Sequence, residues 1–120
     1  MRGREKPRIL CVSRSSFQLE TMRSTLPIRQ YAVLSASTPE QAVAVCVSNH
    51  VAAVVLDSEF LNDGWSAAKT FKMINPRLPV VLLGRDHGGP LPYGVDAIAP
   101  AYAFIAETLD KLLKRAVTGS

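Results

Sequence analysis

Val51-Ala-Ala-Val-Val-Leu-Asp57 is the stretch that decides the fold, because six apolar residues run without interruption and end on one carboxylate. No polar residue alternates with them, so the run predicts a strand covered on both faces, as in the centre of a parallel sheet. A buried helix could show the same run, but the short length and the valines favour a strand. Asp57 would then lie in the crevice beyond the strand ends, where open α/β sheets bind ligands. An aspartate there also suits the start of a turn, and the sequence by itself leaves both roles open.

The composition is that of one globular domain. The chain has 120 residues, of which 48% are hydrophobic and 20% charged. We expect a single domain over residues 1–120 with an ordered core over about 8–117. No apolar run approaches the roughly 20 residues that span a bilayer, and the basic N-terminal stretch lacks a cleavage site, so neither a membrane span nor a signal peptide is expected. Cys11 and Cys46 stand at apolar-patterned positions, which indicates buried thiols in a reducing compartment and a cytoplasmic location.

The net charge of +4 comes largely from two groups of cations near the ends of the chain. No aromatic residue is interleaved with them, so a solvated surface is a better interpretation than a nucleic-acid interface. Direct nucleic-acid binding is therefore not expected. The two groups are Arg2, Arg4, Lys6 and Arg8 at one end and Lys111, Lys114 and Arg115 at the other.

Five predicted strands alternate with helical patterns along the chain, which predicts βαβ units and a parallel sheet. Helices are predicted to begin after Ser15 and after Thr38, each followed by glutamine at the capping-box spacing, then at Trp65 and near Tyr102. Residues 85–94 hold three glycines and two prolines, which forbids a helix between the last two strands. The predicted strands span residues 8–13, 31–35, 51–57, 78–84 and 95–99.

This order of parts resembles the receiver domain of bacterial two-component response regulators from Arg8 to Val117. The likeness is carried by Arg8-Ile-Leu-Cys-Val, by Val54-Val-Leu-Asp57 followed by Asp63-Gly64, by Leu78-Pro-Val-Val-Leu-Leu83 and by Gly94-Val-Asp-Ala. The resemblance implies an α/β, flavodoxin-like, doubly wound five-stranded parallel sheet of order 2-1-3-4-5. In this chain the helix between strands 4 and 5 would be reduced or missing. The resemblance also implies that Asp57 is equivalent to the aspartate that is phosphorylated in the family.

The rest of the family's active site does not match. Receivers carry an acidic pair after the first strand, which holds Mg²⁺ together with the phosphorylated aspartate, and those positions read Ser13-Arg14 here. A guanidinium cannot supply the oxygen ligands that magnesium requires. Glu59 could restore part of the lost acidity or be a solvated loop residue. The family's switch positions fall on Gly84 in place of a hydroxyl residue, on Ile98 in place of an aromatic residue, and on Ala101 (Ala99 if the register shifts) in place of a lysine.

We therefore expect an atypical receiver-like signalling module that acts through protein–protein interaction without Mg²⁺-dependent aspartyl phosphorylation. Arg14 and Asp57 should lie about one strand spacing apart, roughly 5 Å, so an ion pair between them is one hypothesis and an Arg14 that points into water is the other. The alternative function is a receiver that is phosphorylated on Asp57. Mg²⁺ is expected as a cofactor only in that case, and otherwise none is expected.

A missing fourth helix would leave one flank of the sheet thinly covered. Leu91, Pro92 and Tyr93 would lie across this flank and are candidates for a surface that binds a protein partner or a second copy of the chain. The other interpretation is that the loop itself folds down and covers the strands.

A small phosphatase or phosphotransfer enzyme is the remaining alternative. Cys11-Val-Ser-Arg-Ser-Ser faintly resembles a phosphatase loop, but the arginine expected six residues after the cysteine is Phe17, and Cys11 falls inside a strand. No glycine-rich turn follows the first strand, so dinucleotide binding is not expected. His50 and His87 lack partners at metal-ligand spacing, so no metal site is predicted. We expect a binding module and not an enzyme.

Overall fold

Five parallel strands form one sheet in a computed structural model, which describes residues 6–57, 67–84, 91 and 94–118. The strands are β1 (Arg8–Val12), β2 (Ala32–Ala36), β3 (Val51–Asp57), β4 (Val80–Leu83) and β5 (Ala97–Ala99). Their order in the sheet is β2-β1-β3-β4-β5, which is the predicted flavodoxin-like topology. The described helices are α1 (Ser16–Thr25), α2 (Pro39–Ser48), α3 (Ala67–Ile74) and α4 (Ile105–Thr118), with a 3-10 turn at Tyr102–Phe104 before the last.

The central strands are buried on both faces, as the uninterrupted apolar run predicts. Alternate residues of β3 enter two separate core clusters, one on each side of the sheet. Val54 and Leu56 pack with Phe71 of α3 on one side, whereas Val55 packs with Ile105 of α4 on the other. Each face of a strand supplies every second residue, so a strand with helices on both sides needs apolar residues at every position.

At two helix starts, only one of the two hydrogen bonds of the predicted capping box is formed. The Ser15 Oγ accepts a hydrogen bond from the Gln18 N–H at 3.2 Å, and the Thr38 Oγ1 accepts one from the Gln41 N–H at 3.1 Å. In a full capping box the glutamine side chain would reach back to the backbone of the cap residue. Here the Gln41 Oε1 accepts from the Ser37 N–H at 2.9 Å, one residue earlier, and the Gln18 side chain turns to Ser13.

Asp96 fixes the start of β4 and β5 to α3. Its carboxylate accepts hydrogen bonds from the Val80 N–H at 2.8 Å and from the Lys72 Nζ at 2.7 Å. The Lys72 Nζ also donates to the Leu78 carbonyl at 2.6 Å. Gly94 precedes this contact with φ of 86°, a conformation that glycine adopts without steric cost. The Gly94-Val-Asp-Ala segment therefore joins the last two strands to a helix.

The elements start and end close to the predicted positions, and some predictions concern residues that the structure does not describe. The Trp65 start of α3 and most of the segment between β4 and β5, where the helix is predicted to be reduced or missing, lie outside the described residues. The fourth and fifth strands begin two residues later than predicted, at Val80 and Ala97. None of the described helices is long and apolar enough to cross a bilayer.

Replacing Phe71 by alanine should lower the free energy of unfolding by about 3–5 kcal/mol, because its fully buried ring fills the core between α3 and the sheet. The matched control is Met73→Ala on the same helix, whose side chain is 77% exposed and whose loss should change stability by no more than about 0.5 kcal/mol. Urea denaturation of both variants measures the difference. Equal losses would contradict the packing described for α3.

Candidate functional site

Asp57 is the last residue of β3 and lies buried at the carboxyl edge of the sheet. Its side chain is 3% exposed, and its backbone pairs with Leu83 of β4. On the other side β1 runs level with β3, because Val12 pairs with Leu56. The residue that follows Val12 is therefore adjacent to Asp57, at the edge where parallel α/β sheets place their functional groups.

That adjacent residue, Ser13, is hydrogen-bonded to Asp57. The Ser13 Oγ donates to the Asp57 Oδ2 at 2.8 Å, and the Ser13 side chain is fully buried. The backbone of Ser13 is held in turn, because its N–H donates to the Ala36 carbonyl at 3.1 Å. A buried carboxylate requires hydrogen-bond donors, and Ser13 supplies one from the neighbouring strand.

The Ser13 hydroxyl has two further polar neighbours. It accepts a hydrogen bond from the Ser15 N–H at 3.1 Å, and the Gln18 side-chain amide lies 2.8 Å away. A hydroxyl has one proton and two lone pairs, and an amide exchanges its oxygen and nitrogen by a half rotation. The structure has the Gln18 Oε1 facing Ser13, so the one hydroxyl proton would be shared between Gln18 and Asp57. All three bonds form together when the Gln18 amide is turned by a half rotation, with its NH₂ group facing Ser13. The hydroxyl then donates to Asp57, accepts from Ser15 and Gln18, and has no hydrogen-bonding capacity left.

Arg14 and Glu59 were the other residues predicted around Asp57. Arg14 follows Ser13, and its side chain is exposed, in contrast to the buried Asp57. The hydrogen bond described for Asp57 comes from Ser13, and an Arg14–Asp57 ion pair stays a prediction. Glu59 lies outside the described residues.

Gly84, Ile98 and Ala101 are the positions predicted to be equivalent to the switch residues of a receiver. Gly84 follows β4 and donates its N–H to the Ala99 carbonyl at 3.0 Å. Ile98 lies in β5, half-buried against the same core cluster as Leu82, and Ala101 is exposed just before the 3-10 turn. These three side chains offer no hydroxyl and no cation.

Solved structures with the same fold are numerous. A response regulator receiver domain protein from Clostridium thermocellum aligns with a TM-score of 0.79 at 18% identity, over 95% of this chain and 99% of that one. The signal receiver domain of an HD domain-containing protein from Pseudomonas fluorescens Pf-5 also aligns with a TM-score of 0.79 at 18% identity, over 95% of this chain and 91% of that one. A response regulator receiver protein from Sinorhizobium medicae WSM419 aligns with a TM-score of 0.74 at 23% identity, over 93% of this chain and 98% of that one. No protein-family model and no curated protein sequence matches the chain.

The chain has the receiver fold. Identities of 18–23% support the architecture alone, so the chemistry has to be argued from the residues at the site. Asp57 occupies the end of the central strand of this fold, with Ser13 beside it at the end of β1.

The side chains described around Asp57 are not the ligands that would bind the magnesium ion of an active receiver. Mg²⁺ is held by carboxylates and waters in octahedral geometry. Beside Asp57 the receiver fold here presents a serine hydroxyl that donates to the carboxylate and accepts from the Ser15 N–H, followed by the cationic Arg14. Within the described ranges, no three histidine, cysteine, aspartate or glutamate side chains are grouped closely enough to hold a metal ion.

Cys11 does not have the environment of a catalytic nucleophile. It lies within β1, fully buried, and burial raises the pKa of its thiol to about 12, only partly offset by the charge of Arg23. The thiolate is the nucleophilic form, and it is scarce at neutral pH. Burial likewise raises the pKa of Cys46 to about 11, and both cysteines are free thiols.

Gln18 is the site residue that sequence reasoning missed. Its spacing from Ser15 predicted a helix cap, and its backbone does serve that cap. The side chain instead contacts Ser13, which connects the first turn of α1 to Asp57. Capping spacing could not predict this contact, because it depends on the path of the chain between Ser13 and α1.

Replacing Ser13 by alanine should reduce the free energy of unfolding by about 1–3 kcal/mol, because it removes a donor from a buried carboxylate and an acceptor from the Ser15 N–H. Ser24→Ala is the control, because that hydroxyl is exposed and bonds only locally to the Thr21 carbonyl. Chemical denaturation at neutral pH measures the free energy of unfolding of both variants. A Ser13→Ala effect no larger than that of Ser24→Ala would show that the hydrogen bond to Asp57 contributes nothing to stability.

Both cysteines should resist alkylation in the folded protein. At pH 8 a thiol with a pKa of about 12 is ionised in roughly one molecule in ten thousand, and Cys46 with a pKa of about 11 in roughly one in a thousand. Mass spectrometry after iodoacetamide treatment should show slow labelling, with Cys11 slower than Cys46, that accelerates as the pH rises. Denaturant should abolish the difference in labelling rate between Cys11 and Cys46. Rapid labelling of Cys11 in the native state would revive the phosphatase interpretation.

Proposed function

We propose that this protein is a receiver-like signalling module that recognises a protein partner without Mg²⁺-dependent phosphorylation of Asp57. The observation that supports the proposal best is the buried hydrogen bond from the Ser13 Oγ to the Asp57 Oδ2 at 2.8 Å. It places a neutral donor against the carboxylate oxygen where an acidic pair and a metal ion would otherwise be needed.

The proposed loss of phosphorylation follows from electrostatics. Transfer of a phosphoryl group to a carboxylate depends on positioning and on cations that neutralise the transferred group. Ser13-Arg14 supplies no carboxylate for a metal, and neither Gly84 nor Ala101 supplies a polar side chain at the ends of β4 and β5. Asp57 therefore keeps the position of an acceptor without the groups that would activate it.

The proposed role is binding and not catalysis. The raised pKa of Cys11 argues against a thiolate enzyme on this scaffold. Free thiols suit a reducing compartment, so we place the module in the cytoplasm. Leu91, which is 45% exposed, belongs to the proposed partner or homodimer flank. Pro92 and Tyr93 lie outside the described residues, so that surface stays a prediction.

Incubation with acetyl phosphate and Mg²⁺ tests the proposal. Intact-mass spectrometry should show no phosphoryl adduct on the wild-type chain under conditions that modify an ordinary receiver in the same reaction. An adduct that disappears in Asp57→Asn would overturn the proposal and establish the alternative, a phosphorylated receiver that uses Asp57 and Mg²⁺.

A variant that restores the acidic pair tests the stated cause. Ser13→Asp combined with Arg14→Asp should gain Mg²⁺ binding in the millimolar range, seen as chemical-shift changes of the amides of residues 12–14 and 57. The matched control, Ser13→Ala with Arg14→Ala, removes the same side chains without adding carboxylates and should show no response. Mg²⁺-dependent shifts in the wild type or the control would contradict the electrostatic argument.

A further inference from the structure

A row of cations lies along the edge of the sheet where the strands begin, opposite Asp57. Arg8 starts β1, and its backbone pairs with Ala32 of β2 and Val51 of β3. Arg29 precedes β2, and Arg77 precedes β4. The Lys6 Nζ donates to the Ile28 carbonyl at 2.6 Å, which connects the segment before β1 to the turn before β2. We call Lys6, Arg8, Arg29 and Arg77 the basic edge.

Three of the four cations of the basic edge lie outside the described ion pairs. Asp96, which lies near the start of β5, is already paired with Lys72. Two other carboxylates pair with lysines one turn later on α4, as Glu107–Lys111 and Asp110–Lys114. Lys6, Arg29 and Arg77 are exposed, and none of these described ion pairs includes them. These three cations therefore give the edge its positive charge.

Exposed apolar side chains flank the basic edge on both faces of the sheet. Ile28 is 74% exposed and follows α1, on one face. Val47 in the last turn of α2 is 70% exposed and Met73 in the last turn of α3 is 77% exposed, and these two helices pack together on the other face. Large apolar side chains at this exposure around a charged row are typical of an interaction surface.

We propose that the basic edge binds an extended acidic segment of a protein partner, with carboxylates on the cations and apolar residues against the flanks. The cations extend from β2 to β4, three strand spacings or about 14 Å, which an extended segment of about four or five residues spans. Guanidinium groups such as those of Arg29 and Arg77 favour planar, bidentate binding of carboxylates. This surface is independent of the site at Asp57.

The arrangement favours a protein segment over the two other anionic partners. A membrane would be met best by one continuous apolar patch, whereas here the charged row separates Ile28 from Val47 and Met73. Single-stranded nucleic acid is bound by stacking on aromatic side chains, and the residues that form the basic edge and its flanks include none.

The proposal is tested by titrating the isotope-labelled full chain with the blocked peptide Leu-Glu-Asp-Glu-Glu-Leu and following its amide chemical shifts. Shifts should cluster at residues 6–8, 28–32, 49–51 and 76–78. Arg29→Glu combined with Arg77→Glu should weaken binding by about tenfold or more, because two attractions become repulsions. The control Arg14→Glu with Lys111→Glu makes the same change in net charge outside the basic edge, because Arg14 follows β1 at the opposite edge of the sheet and Lys111 lies on α4, and it should weaken binding far less.

In the titration with the acidic peptide, three results would overturn the proposal. They are a lack of shifts with the peptide, shifts centred elsewhere, and equal weakening by the two double variants, which would mean attraction to net charge alone. The peptide in which glutamines and asparagine replace the acids should not bind, and vesicles containing phosphatidylserine or a short DNA duplex should bind more weakly than the acidic peptide. Stronger binding of either would assign the edge to that partner instead. Repeating the titration with Asp57→Asn should leave the affinity unchanged, so the outcome does not depend on the phosphorylation experiment.

Discussion

Burial of β1 and β3 on both faces is the constraint on which the rest of the structure depends. Their side chains enter two core clusters on opposite sides of the sheet, so helices must cover both sides and the connections must cross over. Polar groups are excluded from the interior of these strands and appear where the strands end. Asp57 and Ser13 are the two buried polar residues of the described chain, and both lie at that carboxyl edge.

The Ser13 hydroxyl gives the buried Asp57 carboxylate a hydrogen-bond donor from the neighbouring strand. An isolated buried charge is costly. The Ser13 hydroxyl also accepts from the Ser15 N–H and contacts the Gln18 side chain. The carboxylate is thereby tied to the first turn of α1.

Most of the described cations near strand ends lie at the edge where the strands begin. Arg8 starts β1, and Arg29 and Arg77 precede β2 and β4, whereas at the carboxyl edge Asp57 ends β3 and Arg14 follows β1. The grouping follows from the parallel topology, which brings all strand starts to one side. A chain with a modest net charge of +4 can therefore present a concentrated positive surface.

The sequence by itself determined the element types, the parallel sheet and the place of Asp57, because uninterrupted apolar runs and capping residues are local signals, whereas the sheet order was implied by the resemblance to receiver domains. These signals predict the strand Val51–Asp57 and the helix start at Thr38-Pro39. The predicted ends of the other strands differ from the observed ends by one or two residues. Only the tertiary structure decided that the Ser13 hydroxyl donates to Asp57, that the Gln18 side chain contacts this hydroxyl, and that cations far apart in sequence lie at one edge. Those contacts join residues from different strands and helices, and side-chain direction across such distances is set by packing, which no short sequence pattern encodes.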